Sequence, residues 1–187
     1  MSRAVLSIGS NLGDRLAHLR SVTEALGDRI VAVSPVYTTA PWGGVDQQDF
    51  LNAVVVADDP ELDSRGWLRL GQQLEAAADR VRVQRWGPRS LDVDVVTCDE
   101  IVSDDPELTL PHPRAHQRAF VLVPWLDVAP DGTLTVDGER RLLTDWLADL
   151  DDAERAGVHR TDLRLGFHPE DREPDEDREP DEGERRC

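Results

Sequence analysis

Apolar residues in the first third of the chain recur in patterns that alternate between strand and helix. A short apolar run over residues 4–8 predicts a buried strand. Leucines and valines then recur three or four residues apart, which predicts a helix with Asn11 or Asp14 as its N-cap. The apolar positions of this helix are Leu12, Leu16, Leu19, Val22 and Leu26. Two runs rich in β-branched residues, 30–37 and 50–57, predict two further strands.

The pattern continues with a second helix and another strand. The helix is predicted over residues 64–83, where apolar side chains again recur at helical spacing. A strand that carries Asp92 and Asp94 follows it. The resulting order, β-α-β-β-α-β, is the ferredoxin-like arrangement of an antiparallel sheet with helices packed on it. The sequence therefore predicts an α+β fold of this type.

The rest of the chain is expected to form a C-terminal extension that packs on the sheet and completes a cleft at one end. It contains a proline-rich run (110–113), an apolar segment (120–126), a hairpin strand (133–136) and a short helix (142–150). From residue 168 the sequence is acidic and has almost no apolar residue, so burial cannot offset its ordering entropy. We expect one domain over residues 1–167 and a disordered acidic tail over residues 168–187.

Charge and composition narrow the possible functions. The formal net charge of −17 argues against nucleic acid as a partner, because duplex binding needs a broad basic surface. All 21 basic residues are arginine, so a Walker-type phosphate loop and Schiff-base chemistry are excluded. The two cysteines have no disulfide or zinc spacing. No segment resembles a signal peptide or a membrane span, and we expect a cytoplasmic monomer without membrane contact.

The chemistry is concentrated between residues 80 and 96. Four arginines precede the strand with the two aspartates: Arg80, Arg82, Arg85 and Arg89. Side chains alternate along a strand, so Asp92 and Asp94 point to the same side. Mg²⁺ prefers one or two such carboxylates together with nucleotide phosphates, and guanidinium groups bind phosphate oxygens. The combination predicts a site for phosphoryl transfer.

Segment 85–96, RWGPRSLDVDVV, resembles the signature of the 6-hydroxymethyl-7,8-dihydropterin pyrophosphokinases, a family of folate biosynthesis. The resemblance extends over about residues 4–150. It includes the motifs IGSNLG (8–13), YTTAP (37–41), DFLNA (49–53) and LPHPR (110–114). Such enzymes transfer the pyrophosphoryl group of ATP to the hydroxymethyl oxygen of a reduced pterin and release AMP.

The resemblance implies a role for each matching residue, with ATP as co-substrate. Asp92 and Asp94 would hold two Mg²⁺ ions and act in catalysis. The catalytic basic residues would be Arg80, Arg82 and Arg89. The ATP-binding residues would be Gln72, Glu75, Arg89, His112 and Arg118. The pterin-binding residues would be Thr39, Trp42, Phe50, Asn52, Trp86 and Phe120.

Simpler interpretations of the same residues exist. The aspartate pair alone is more often the solvated face of a sheet. Arg82 and Arg85 could be a solvated helix end, Glu75 a solvated helix residue, and the two phenylalanines core packing. Relatives often carry other residues at the positions of Ala40 and Trp42, and some carry an aromatic residue at the position of Pro113, which leaves the details of loop closure and nucleotide contact open.

Two other functions are compatible with the pattern. Small ferredoxin-like domains often serve as non-catalytic ligand-binding modules. A kinase that moves only the γ-phosphate would also use arginines and an aspartate pair. AMP as the nucleotide product distinguishes pyrophosphoryl transfer from both alternatives.

Overall fold

The computed structural model describes residues 2–40, 48–78 and 90–166. Its strands are β1 (Ser2–Ser10), β2 (Ile30–Val33), β3 (Tyr37–Thr39), β4 (Phe50–Asp59), β5 (Asp92–Cys98), β6 (Ser103–Asp105), β7 (Leu108–Leu110), β8 (Thr133–Val136), β9 (Glu139–Leu142) and β10 (Val158–Arg160). Its α-helices are α1 (Arg15–Leu26), α2 (Ser64–Ala77), α3 (Ala119–Val128), α4 (Leu143–Ala148) and α5 (Asp152–Ala156). Short 3-10 turns cover Gly27–Arg29 and Ala115–Gln117.

One antiparallel sheet forms the centre of the molecule. Its strand order is β10-β3-β4-β1-β5, and β2 pairs with β4 next to the segment that pairs with β3. The remaining strands form two hairpins, β6–β7 and β8–β9. The prediction of an α+β fold with an antiparallel sheet and packed helices is therefore confirmed.

The predicted strand over residues 30–37 consists of two strands, β2 and β3. Pro35 lies between them and has no backbone N–H to donate to a ladder. Ser34 replaces the missing contact, since its N–H donates to the Val54 carbonyl and its Oγ accepts from the Val54 N–H, both at 2.9 Å. The interruption turns the chain without leaving β4 unpaired at Val54.

Aspartate side chains cap both long helices. Asp14, rather than Asn11, caps α1 by accepting a hydrogen bond from the N–H of Ala17 at 3.0 Å. Asp63 caps α2 in the same way. Such caps satisfy backbone donors that have no partner within the helix. Helix α2 ends at Ala77, and residues 79–83 of the longer predicted helix lie outside the described part of the chain.

Different helices cover the two faces of the sheet. Helices α1 and α2 pack against one face, where the largest buried side chain is Trp67. Helices α3 and α4, with the β8–β9 hairpin, pack against part of the other face. The apolar segment 120–126 is thus most of a buried helix, and the expected packing of the C-terminal extension on the sheet is observed. The sheet side chains under α3 include Val5, Val54, Val56 and Val96.

The face beneath α3 changes from apolar to polar along the central strands. On β1, Val5 is followed on the same side by Ser7 and Gly9, whose ladder partners on β5 are Asp94 and Asp92. The polar end of this face is the candidate site. Among the described residues, no helix is both long and apolar enough to cross a membrane.

Candidate active site

A single row across the sheet brings together the two ends of the expected site. Gly9 on β1 pairs with Asp92 on β5 and with Asn52 on β4, and Asn52 in turn pairs with Tyr37 on β3. Directly paired residues of an antiparallel sheet have their side chains on the same face. The expected metal ligand Asp92 and the expected pterin contact Asn52 therefore face the same side, one strand apart on either side of Gly9.

Asp94 has two basic neighbours. Its Oδ2 atom lies 3.4 Å from Nη1 of Arg118 and 3.9 Å from Nε2 of His112. All three side chains are partly buried, which strengthens their electrostatic interaction relative to water. The structure thus joins one predicted metal ligand to two predicted ATP-binding residues.

Backbone contacts fix the orientation of His112. Its N–H donates to the Val96 carbonyl at 2.8 Å, and its Nδ1 accepts from the N–H of Arg114 at 3.2 Å. Nδ1 is therefore unprotonated, and in the neutral ring Nε2 carries the proton on the side of Asp94. Burial lowers the pKa of His112 below its ordinary value despite the opposing effect of Asp94. At neutral pH the imidazole is a neutral donor.

A bulge in β5 makes the His112 contact possible. The β1–β5 register shifts between Val5 and Leu6, so that Val96 is an extra residue on β5. Bulges bend a strand and change the direction of nearby side chains. Here Val96 packs beneath α3 while its carbonyl accepts from His112, two residues after Asp94.

Arg118 connects the phosphate side to the expected pterin side. Its guanidinium carbon lies 5.5 Å from the ring centroid of Phe120, within the range of a cation–π contact. Phe120 is in the first turn of α3, half-buried at the border of the apolar cluster on that face. Arg118 therefore lies between Asp94 and an aromatic surface.

Asn52 is held in one orientation at the other end of the row. Its side chain is only 4% exposed, and its Nδ2 donates to Oγ1 of Thr39 at 2.8 Å. A Cβ atom at Gly9 would lie 2.9 Å from Asn52 Oδ1 and 3.8 Å from a ring carbon of Phe50. Because that spacing is too short for a side chain, only glycine leaves room for the Asn52 amide here.

Phe50 is on the same strand face as Asn52, two residues away. It is half-buried and belongs to neither of the two apolar clusters that the described residues form. Core packing therefore does not explain its position. An aromatic face beside a fixed amide is suited to a flat, polar heterocycle.

Helix α2 places its two predicted site residues differently from each other. Gln72 is exposed, as expected. Glu75 is only 9% exposed, and its Oε1 accepts a hydrogen bond from the N–H of Val93 at 3.0 Å. The simpler interpretation of Glu75 as a solvated residue of α2 was wrong, because the carboxylate reaches the outer edge of β5.

Several predicted residues fall on segments outside the described ranges. They are Trp42, Arg80, Arg82, Trp86 and Arg89, together with Arg85. Their predicted roles remain predictions. The described residues flanking one of these segments are anchored near the start of α1. Arg15 Nη1, in α1, donates to the Asp49 carbonyl at 2.7 Å, and Asn11 Nδ2, in the loop before α1, donates to the Gln48 carbonyl at 3.3 Å.

The carboxylates of Asp92 and Asp94 on β5 are suited to a hard divalent cation that also binds a nucleotide. Over residues 2–40, 48–78 and 90–166, no three His, Cys, Asp or Glu side chains are grouped as a metal site. A cation at Asp92 and Asp94 would take its other ligands from phosphate oxygens and water. Mg²⁺ is commonly bound in this way.

Two residues of the site had no assigned role in the sequence interpretation. Gly9 is part of the IGSNLG motif, but only the register shows that it separates Asn52 from Asp92. Ser7 is buried on the same face opposite Asp94. Alternation along β1 could have suggested that Ser7 and Gly9 share a face, though not what they face.

Comparisons with known proteins show a family match and relatives of high sequence identity. The model of the family 7,8-dihydro-6-hydroxymethylpterin-pyrophosphokinase matches residues 5–130. The 2-amino-4-hydroxy-6-hydroxymethyldihydropteridine pyrophosphokinase of Mycobacterium tuberculosis (strain ATCC 25618 / H37Rv) is 52% identical over 187 residues, which are 94% of this chain and 100% of that relative. The enzyme of the same name from Mycobacterium leprae (strain TN) is 55% identical over 175 residues, covering 88% of this chain and 92% of the relative.

Solved structures show a related fold at lower identity. The crystal structure of Plasmodium falciparum HPPK-DHPS wild type with SDX-DHP superposes with a TM-score of 0.55 and 15% identity. The match covers 79% of this chain and 43% of that one, so this chain spans less than half of the larger protein. At such identity the likeness concerns the fold alone.

Proposed function

The chain belongs to the 7,8-dihydro-6-hydroxymethylpterin-pyrophosphokinase family, and we propose that the row from Asn52 through Gly9 to Asp92 is where its reaction takes place. The enzyme transfers pyrophosphate from ATP to the hydroxymethyl group of 6-hydroxymethyl-7,8-dihydropterin and releases AMP, a step in folate biosynthesis. One observation supports this site above all: Asp92 and the fixed amide of Asn52 lie on the same face of the sheet, on either side of Gly9.

On the phosphate side, Asp92 and Asp94 are proposed to hold two Mg²⁺ ions together with ATP. Mg²⁺ held there would help to neutralise the charge that develops on the phosphates during transfer. The two aspartates orient this assembly because they project from one strand on the same face. Arg118 lies 3.4 Å from Asp94 and is close enough to contact the same phosphates.

The other proposed nucleotide contacts surround this pair. His112 presents a neutral Nε2–H beside Asp94, which suits a phosphate oxygen as acceptor. Gln72 is proposed to contact ATP from the exposed side of α2. Arg80, Arg82 and Arg89 are proposed to bind the transferred phosphates, and that assignment depends on the family resemblance. The same resemblance would place Glu75 on the nucleotide.

On the acceptor side, the pterin is proposed to stack between Phe50 and Phe120. Asn52 would read the donor–acceptor edge of the ring, because Thr39 fixes which way its amide points. Trp42 and Trp86 are proposed to contribute to the closed pocket on sequence grounds. Both phenylalanines are half-buried, and the Arg118 guanidinium lies over the ring of Phe120, which supports a pterin site next to the proposed phosphate site.

Positioning, rather than a strong general base, is proposed to account for most of the rate. Phosphoryl transfer needs little covalent chemistry from a protein and depends on alignment and charge stabilisation. The residues of the site are suited to both tasks: two aspartates, an arginine and a neutral imidazole would face the phosphates, while a fixed amide would hold the acceptor ring.

Product analysis tests this function. The protein is incubated with ATP, Mg²⁺ and the reduced pterin, and nucleotides are separated by chromatography. We expect AMP in equal amount to pyrophosphorylated pterin. ADP would instead indicate transfer of the γ-phosphate alone, and binding without any nucleotide product would indicate a non-catalytic module.

We also propose the finer organisation. The strand order is compatible with a ferredoxin-like core in which β2 and β3 together take the place of one strand. Residues 1–167 are proposed as the catalytic domain and residues 168–187 as an acidic tail. The protein is also proposed to be a monomer and to act in the cytoplasm, where ATP is available.

A further inference from the structure

Glu75 is one of two acidic side chains that are buried in the described part of the chain; the other is Asp59. Asp59 accepts a hydrogen bond from Nε of Arg29 at 2.6 Å. Glu75 Oε1 accepts from a backbone group, the N–H of Val93, at 3.0 Å. Because burial of a carboxylate is costly, this placement calls for a physical reason.

The residue that Glu75 binds lies between the two aspartates. Val93 is opposite Ile8 in the β1–β5 ladder, and its neighbours in sequence are Asp92 and Asp94. Antiparallel ladders use the backbone groups of every second residue, and β5 is the last strand of the sheet on its side. The N–H of Val93 therefore points away from β1, and Glu75 satisfies it.

A second residue of α2 contacts Val93 one helical turn earlier. A Cβ atom on Gly71 would lie 3.1 Å from Cγ1 of Val93 and 3.3 Å from its carbonyl oxygen. Positions four apart lie on the same side of a helix. The absence of a side chain at Gly71 thus lets α2 approach β5 closely at Val93, and Glu75 binds the Val93 N–H.

We infer that Glu75 is a positioning residue, which fixes the backbone of β5 so that Asp92 and Asp94 share one direction on the opposite face of the sheet. This role rests on the proposed function of the two aspartates as Mg²⁺ ligands. It differs from the ATP contact that the family resemblance would assign to Glu75. Loss of the acceptor would leave Val93 unsatisfied at a sheet edge and allow the two carboxylates to vary in spacing.

The test compares Glu75→Ala with Glu75→Gln, which keeps a side-chain oxygen that can accept from Val93. Partners that orient metal ligands typically change metal affinity by about 10- to 100-fold when they are removed. We expect Glu75→Ala to weaken Mg²⁺ binding in the presence of a non-hydrolysable ATP analogue by about tenfold or more. Isothermal titration calorimetry measures this, and Glu75→Gln should recover most of the affinity.

Two further measurements separate positioning from general destabilisation. Hydrogen exchange at the Val93 amide, followed by NMR, should accelerate in Glu75→Ala and not in Glu24→Ala, an exposed acidic residue of α1. High Mg²⁺ should restore turnover in Glu75→Ala. If Glu75→Ala does not fold, Gly71→Ala provides the same test, because its methyl group would press against Val93 and should also weaken Mg²⁺ binding.

Two outcomes would overturn the inference. One is an unchanged Mg²⁺ affinity in both Glu75→Ala and Gly71→Ala. The other is a Glu75→Gln variant as impaired as Glu75→Ala, which would indicate a role for the negative charge. Asp94→Asn, measured in parallel, separates this from failure of the proposed function: if it also leaves Mg²⁺ binding intact, the aspartates are not the metal ligands.

Discussion

The hydroxyl of Tyr37 donates a hydrogen bond to Oδ2 of Asp127 at 2.5 Å, which joins strand β3 to the last turn of helix α3. Tyr37 is next to Asn52 in the row across the sheet. Phe120 lies in the first turn of the same helix that carries Asp127. The bond therefore ties α3, which carries Phe120, to the strand that pairs with β4 at Asn52. Arg160 supports it, since its Nη1 lies 3.6 Å from Asp127 Oδ1.

Tyr37→Phe should lower stability and weaken pterin binding. Hydrogen bonds to charged groups contribute about 1.5–3 kcal/mol, so we expect a loss in the free energy of unfolding of about that size. Urea denaturation measures it. The KM for the pterin should rise while the KM for ATP stays the same. Asp127→Asn keeps an acceptor oxygen and should cost less; an equal rise in both KM values would contradict the role of this bond.

Alkaline pH should weaken the same contact. Burial, and next the bond to Asp127, raise the pKa of Tyr37 to about 12 from an ordinary value of 10.0. Between these values the unfolded state has lost the phenolic proton and the folded state retains it, so stability falls as pH rises from about 10 to about 12. Tyr37 is the only tyrosine of the chain, so tyrosinate absorbance reports this group alone. The midpoint should be about 12 in the folded protein and about 10 in urea; a folded midpoint near 10 would show that the bond does not form.

Asp94→Asn should reduce the rate of AMP formation by at least about 100-fold at saturating Mg²⁺, since metal–phosphate stabilisation is the main catalytic contribution in the proposed mechanism. A coupled assay for AMP measures the rate. Asp104→Asn, an exposed aspartate of the β6–β7 hairpin, is the matched control and should behave as the unchanged protein. Near-normal turnover of Asp94→Asn would refute the assigned site.

Gly9→Ala should lower the affinity for the pterin more than the affinity for the nucleotide. Its methyl group would lie 2.9 Å from Asn52 Oδ1, so the amide must turn or the strands must separate. We expect pterin affinity to fall by about tenfold or more, the effect of losing one good hydrogen bond, while the affinity for an ATP analogue with Mg²⁺ changes little. Calorimetry with each ligand measures both. The control is Gly157→Ala, at a glycine after α5 that has an ordinary negative φ. An equal loss of affinity for both ligands in Gly9→Ala would indicate general disruption of the fold instead.

Removal of the residues after Phe167 should leave kcat and both KM values unchanged. The segment from His168 to Cys187 has almost no apolar residue with which to stabilise the domain. Steady-state assays and thermal unfolding of the shortened chain measure the effect. A loss of activity or stability would assign the acidic tail a part in the catalytic domain.

Local periodicity predicted the main elements because it depends only on neighbouring residues. The helical recurrence that includes Leu19 and Val22 gave α1, and the alternation around Asp92 and Asp94 gave β5. Strands of three residues, such as β3 and β10, are too short to show a period. Pro35 divides one predicted strand into β2 and β3. The prediction missed this division because it depended only on the number of β-branched residues.

Contacts between distant segments could not be predicted in this way. Tyr37 and Asp127 are 90 positions apart, and no spacing rule relates them. The helical periodicity of α2 predicts an exposed side chain at Glu75. Only the packing of α2 beside the edge of β5 shows why this side chain is buried. The meeting of Asp94 with His112 and Arg118 was anticipated through the family resemblance, not through the pattern of the residues.

The position of β1 between β4 and β5 also determines the distance between Asn52 and Asp92. Neighbouring strands lie about 4.8 Å apart, so the strands that carry Asn52 and Asp92, on either side of Gly9, are separated by about 10 Å. Backbone hydrogen bonds between the strands fix the distance between Asn52 and Asp92. In the proposed site, an acceptor bound by Asn52 on β4 would have to extend across β1 before its hydroxyl could reach phosphates held at Asp92 on β5. A bicyclic ring with a one-carbon arm spans such an interval better than a single ring does, so size selection would come from the rigid sheet.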